Sequence, residues 1–185
     1  MVINSLSLLD INKKAPYKVW MSDKDGSFRF ISDADIVFVV DFMADDLIVS
    51  GNTFQLIIGN IGNKKSPRDY KVRDTILAIV EEFFEKNVAA LLYISETGDG
   101  KQMARGRLFA YWFQASGLGK LFTTMTSVLK DEEGVENTAT LIIRNDNPDF
   151  DLLVSEYSQT VKFLSQKPND LCRLYESIVD CVYVA

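Results

Sequence analysis

Apolar and polar residues alternate over Tyr17–Met21, and the Ser22-Asp23-Lys24-Asp25-Gly26 that follows is turn-forming, which predicts a strand and a reversal. Phe28–Ile31, Ile36–Phe42 and Thr53–Ile58 continue as strands rich in β-branched and aromatic residues, punctuated at Asp45-Asp46 and Ser50-Gly51-Asn52. Connections this short predict an antiparallel meander. The period then changes. Ile76, Leu77, Ile79, Val80, Phe83 and Phe84 recur at helical spacing and predict a helix over 72–86, ended by Asn87. Ala89–Ser95 is an apolar run bounded by turn residues, the pattern of a central strand buried on both faces. A second helix is expected over 101–115, stopped by Gly117 and Gly119, and then a hairpin of 121–128 with 138–144. Asn147-Pro148 opens a third helix with Phe150, Leu153, Val154, Tyr157, Val161 and Leu164 on one face. Pro168-Asn169-Asp170 opens a last one, with Leu171, Leu174, Tyr175, Ile178 and Val182 at helical spacing.

The order ββββ-α-β-α-ββ-α-α defines an α+β protein, an antiparallel meander extended by a mixed central sheet flanked by helices. With no linker and no internal repeat, 1–185 is expected as a single domain. Residues 1–15 are expected as a flexible N-terminal tail and 169–185 as a C-terminal helical extension. From the second strand onward the order resembles the core of the GCN5-related N-acetyltransferases: meander, helix, central strand, helix, closing hairpin. In that family an Arg/Gln-x-x-Gly-x-Gly/Ala turn before the first core helix holds the coenzyme A pyrophosphate at a helix N-terminus. The matching stretch here, Pro67-Arg68-Asp69-Tyr70-Lys71-Val72-Arg73-Asp74, contains no glycine, so side chains obstruct the close approach that glycine permits. The resemblance therefore implies a degenerate relative with no cofactor, with acetyl-CoA as the alternative.

Composition narrows the chemistry. Apolar residues at 47% and charged residues at 25% are those of a folded soluble protein, and no apolar run approaches the ~20 residues of a membrane helix. The start, MVINSLSLLDINKK, lacks the features of a signal peptide, so a cytoplasmic location is expected. The chain has no histidine, which excludes Ser-His-Asp and Cys-His catalysis and His-ligated zinc. Any base must be Asp, Glu, Lys, Tyr or water. Cys172 and Cys181 fall on roughly opposite faces of the expected last helix, so they read as unpaired thiols, and no metal site is expected.

Charge adds the candidate site. Residues 64–73 hold five cations (Lys64, Lys65, Arg68, Lys71, Arg73) and one acid, and residues 101–107 hold Lys101, Arg105 and Arg107 with no acid. The two stretches carry +7 within a chain of net −6, so the remaining 168 residues carry −13. Gly98-Asp99-Gly100-Lys101 is not a P-loop, because Ser95 stands where its first glycine is required and Gln102 where it needs Ser or Thr. Asp99 is read as the cap of the second helix. On a helical wheel Leu108, Phe109, Tyr111 and Trp112 form an expected core-facing arc with Arg105 inside it. Arg105 then meets Glu96 or Asp99 in an ion pair, or serves with Lys101 in anion binding. Lys101 and Arg107 complete the anion-binding candidates.

The stretch Asp99-Gly100-Lys101-Gln102, Arg105, Arg107-Leu108-Phe109, Trp112-Phe113 is similar to an uncharacterised bacterial domain of unknown function with a signature close to Asp-Gly-x-Gln-x-x-Arg-x-Arg-Leu-Phe-x-x-Trp-Phe. That likeness, extending over about 17–163, implies no activity, but it groups Asp99, Gly100, Gln102, Arg105 and Trp112 as a structural unit. Asp41, Asp45 and Asp46 are read as solvated turn acids, and Tyr17, Trp20, Phe28 and Phe30 as sheet packing. The resulting expectation is a non-catalytic binding or assembly module; whether it is an enzyme stays open, leaning against. The alternatives are an acyl-CoA-dependent N-acyltransferase and an anion, nucleic-acid or phosphoprotein binder. Expected partners are a protein, a small anionic ligand or a second copy of the chain; no membrane is expected, and net charge argues against nucleic acid.

Overall fold

The computed structural model describes residues 3–62, 64–95, 102–130 and 134–166. Their elements are α1 (Leu8–Lys14), β1 (Trp20–Met21), β2 (Phe28–Ile31), β3 (Val37–Ala44), β4 (Thr53–Asn60), α2 (Tyr70–Lys86), β5 (Ala90–Ile94), α3 (Gln102–Ala115), β6 (Phe122–Lys130), β7 (Glu136–Arg144) and α4 (Phe150–Gln166). A single 3-10 turn, Leu118–Lys120, follows α3. The seven strands form one mixed sheet in the order β1-β2-β3-β4-β5-β7-β6. The protein is α+β, as the pattern of elements predicts. The chain divides into two compact units: residues 1–43 with 56–88, and residues 44–55 with 89–185.

In the first unit β1, β2 and β3 are antiparallel, with Trp20 opposite Arg29 and Phe30 opposite Phe38. Phe30 stacks on both Tyr17 and Phe38, with ring centroids 5.9 and 5.2 Å apart, and Phe42 stacks on Phe83 of α2 at 4.4 Å. The strand expected over 17–21 is reduced to Trp20–Met21. The reason is local competition for the backbone. The Tyr17 amide donates to Thr75 Oγ1 and the Val19 amide to Asn12 Oδ1, so side chains take the groups a ladder would use. Trp20, expected to pack on the sheet, is exposed.

The N-terminal stretch expected as a flexible tail contains α1, a short helix capped by Ser7, whose hydroxyl accepts from the Asp10 amide. Its Ile11 is fully buried. Helix α2 starts two residues earlier than its apolar spacing predicts, because Asp69 caps it. It ends where expected, with the Asn87 amide and side-chain Nδ2 both donating to the Phe83 carbonyl.

In the second unit β5 is buried and central, parallel to β4 (Phe54 opposite Leu91) and antiparallel to β7 (Leu92 opposite Leu141). β6 and β7 form the expected hairpin, two residues longer at its turn end, with Thr126 opposite Thr140. The two faces of this part of the sheet divide by residue parity. Ala90, Leu92, Ala139, Leu141 and Ile143 pack with Leu153, Tyr157 and Leu164 of α4, and the Tyr157 hydroxyl donates to the Ala139 carbonyl at 2.8 Å. Ser95, Thr138 and Thr140 face the opposite way. The α4 stripe read from the sequence is the buried one, since Phe150, Val154 and Val161 also lie against this cluster.

Segment 44–55 is held by two carboxylates. Asp45 accepts from the Leu47 and Ile48 amides and from Gln55 Nε2. Glu156 accepts from the Val49 and Ser50 amides. Asp45 is 2% exposed, so it is a buried turn anchor and not the solvated acid expected from sequence. Burial pushes its carboxyl above its ordinary 3.8. No helix among the described residues is long and apolar enough to cross a membrane.

Candidate functional site

The cation-rich stretch before α2 folds around Asp69. This residue is at the N-cap, and its Oδ1 accepts from the Lys71 amide at 2.8 Å and the Val72 amide at 3.4 Å. Its Oδ2 accepts from the Tyr17 hydroxyl at 2.6 Å. The same hydroxyl accepts from the Asp33 amide at 3.0 Å, and Lys71 Nζ closes the ring by donating to Asp33 Oδ2 at 2.7 Å. Lys71 also lies 5.5 Å from the centroid of the Tyr17 ring. Burial, followed by the hydrogen bond to Asp69, pushes the Tyr17 hydroxyl above its ordinary 10.0. Lys71 holds the Asp33 carboxyl below its usual range, and Asp33 in turn raises the Lys71 ammonium.

Chemically, this is a satisfied cap. An α-helix begins with orphan amides and partial positive charge. Here a fixed carboxylate takes two of those amides and neutralises the charge. A phosphate arriving at the same point would meet a like charge and find those donors occupied.

Two of the remaining cations flank Tyr70, the first residue of the helix, which is 59% exposed. The guanidiniums of Arg68 and Arg73 lie 5.7 and 5.1 Å from its ring centroid. Arg73 Nε also donates to Asp74 Oδ1 at 2.7 Å. Lys64 and Lys65 are exposed, and Asn60 fixes the backbone beneath them, accepting from the Lys64 amide at 2.7 Å and donating to its carbonyl. The structure thus gathers Arg68, Lys71 and Arg73 at one helix start. It commits Lys71 to Asp33 and leaves Lys64, Lys65 and Arg68 presented to solvent.

The second basic stretch belongs to the other unit. Asp99, Gly100 and Lys101 lie outside the described residues, as do Glu96 and the side chains of Gln102 and Arg105, so the expected ion pair of Arg105 with Glu96 or Asp99 falls there too. Arg107 is exposed and Trp112 half-buried. The core-facing arc read on the wheel is corrected at Leu108 and Tyr111, while the side chain of Phe109 lies outside the described residues. Leu108 and Tyr111 point outward, Tyr111 being 58% exposed, while Gly106 and Phe113 are buried. Backbone approach decides this face. A Cβ placed on Gly106 would lie 2.2 Å from Thr138 Oγ1, so α3 rests directly on β7 at its glycine. Beneath it the Ser95 and Thr138 hydroxyls are 2.6 Å apart, and the Ser95 amide donates to the Thr138 carbonyl at 3.0 Å.

Sequence reading missed Asp33, Gly106 and Thr138, and took Tyr17 as sheet packing without its hydroxyl's part in the cap. Asp69 carried a signal, an Asp directly before an apolar-periodic segment, that went unused beside the cations. Among the described residues no three His, Cys, Asp or Glu side chains gather as a metal site. The last-helix positions and both cysteines lie outside the described residues.

Fold and site together define an α+β protein whose cation-rich helix start is closed by its own carboxylate. Residues 68–159, from Arg68 through α2 and well into α4, match the model of a family of unknown function, DUF6169. No curated protein and no solved structure gives a significant match.

Proposed function

We propose that this chain is a non-catalytic binding module on a degenerate acetyltransferase-like arrangement, and that it contacts a small anionic ligand or an acidic protein segment through Lys64, Lys65 and Arg68. The order meander, α2, central β5, α3, β6–β7 hairpin supports the arrangement. The observation that carries the loss of coenzyme binding is the Asp69 cap, which takes the Lys71 and Val72 amides. The absence of glycine over 66–74 points the same way. The three solvent-facing cations, within a chain of net −6, supply the local attraction.

Calorimetric titration separates this reading from an active acyltransferase. Acetyl-CoA should give no saturable binding at micromolar concentration, whereas tripolyphosphate should bind and lose that binding in a Lys64→Glu/Lys65→Glu/Arg68→Glu variant. Micromolar binding of acetyl-CoA would sink the proposal.

A further inference from the structure

A buried carboxylate outside this site has an unanswered oxygen. Glu82 of α2 is 1% exposed. Its Oε1 accepts from the Ser7 amide at 3.0 Å, with Lys86 Nζ 3.7 Å away, while its buried Oε2 has no partner among the described residues. Such an atom forgoes the hydrogen bonds it makes in water.

Residues 4–14 meet Glu82 at the Ser7 amide, and this stretch is fastened to α2 by polar contacts beside its one fully buried side chain, Ile11. The Asn4 amide donates to Asn87 Oδ1 at 2.9 Å and Asn4 Nδ2 to the Lys86 carbonyl at 2.7 Å, so Asn4 also caps the end of α2. Lys14 Nζ donates to Glu85 Oε1 at 2.8 Å and Glu81 Oε2 at 3.2 Å. Asn12 ties α1 to the chain that follows, through both the amide and the carbonyl of Val19. Ile11 is the one residue of α1 that is buried. Exposed ion pairs and a seven-residue helix are individually weak fasteners.

We propose that residues 4–14 form a releasable strap over a lysine-accepting face of α2 made by Glu81, Glu82 and Glu85. The occupant this face takes is a short helix bearing one apolar residue and, three positions on, a lysine. α1 supplies that pair itself as Ile11 and Lys14, and a partner carrying it would compete for the same face. The three glutamates provide the charge complementarity, and the unanswered Glu82 oxygen offers a further acceptor to an incoming donor.

Hydrogen exchange and peptide binding on the full chain test this. The amides of residues 4–14 should exchange together, about tenfold or more faster than those of residues 75–86. A fluorescent peptide of residues 3–18 should bind the Ile11→Ala chain about tenfold or more tighter than the unaltered chain, because weakening the strap raises the fraction that is open. Adding Glu85→Lys should abolish that binding. If Ile11→Ala fails to fold, Lys14→Glu, which sets like charges against Glu81 and Glu85, opens the strap for the same titration. Protection of residues 4–14 equal to that of α2, or no saturable peptide binding to a folded open-strap variant, would overturn the proposal.

Discussion

At the residue scale, Tyr17 and Asp69 act as one unit, since a single hydroxyl both donates to the cap and receives the Asp33 amide. Asp69→Ala should cost ~1 kcal/mol for the lost cap, and Tyr17→Phe a similar ~1 kcal/mol. The two losses should not add. A double-mutant cycle by urea denaturation should return a coupling of about 0.5 kcal/mol or more, and additivity would show that the pair is independent. Asp45 makes a prediction in pH. Its folded carboxyl titrates above the ordinary 3.8 because it is buried, so over that interval the unfolded chain binds fewer protons than the folded one. Stability drawn from this group is therefore present at acid pH and declines as pH rises from 3.8 through the folded value. Asp45→Asn, which keeps an oxygen for the Leu47 and Ile48 amides and leaves the Gln55 amide to turn over, should gain on wild type across that interval. Melting curves collected in steps from about pH 3 to pH 7 give the sign.

At the element scale, the seating of α3 on β7 rests on a missing side chain. Gly106→Ala would drive a methyl into Thr138 and should cost about 1–3 kcal/mol as overpacking. On a Thr138→Gly background the same change should cost clearly less, measured by chemical denaturation of the four proteins. This contact also shows what was legible in the sequence. The α4 stripe, the α2 stripe and the buried β5 run follow from hydropathy, because large apolar side chains at regular spacing do the packing there. The α3 wheel misled for the converse reason: a residue that lies directly against β7 is a glycine, which hydropathy ignores, while Leu108 and Tyr111 face outward. α1 and the shortened β1 escaped notice because polar side chains distant in sequence or off the strand, Glu82, Thr75 and Asn12, claim their backbone groups. The site was legible only as a run of cations. The carboxylate network that disposes of Lys71 joins residues 52 and 38 positions apart, beyond the reach of any local motif.

For the whole molecule, the acidic total of −6 against a cationic patch makes association with an anion a matter of local field, not of net charge. Tripolyphosphate binding should therefore weaken steadily as salt is raised from about 50 to 500 mM, as the Debye length shrinks. Binding indifferent to salt over that range would point to a contact of another kind. Connectivity has a separate consequence. The first compact unit is assembled from residues 1–43 and 56–88, with β4 shared across the boundary at Leu56. While the chain is being synthesised, that unit has all its residues once Val88 has emerged from the ribosome. The intervening 44–55 can close its own Asp45 turn but must wait for β5 and for Glu156 of α4 before its outer contacts form. A nascent chain stalled between these points carries a dozen residues of stranded loop and half-strand, the interval in which a chaperone or a protease would find it.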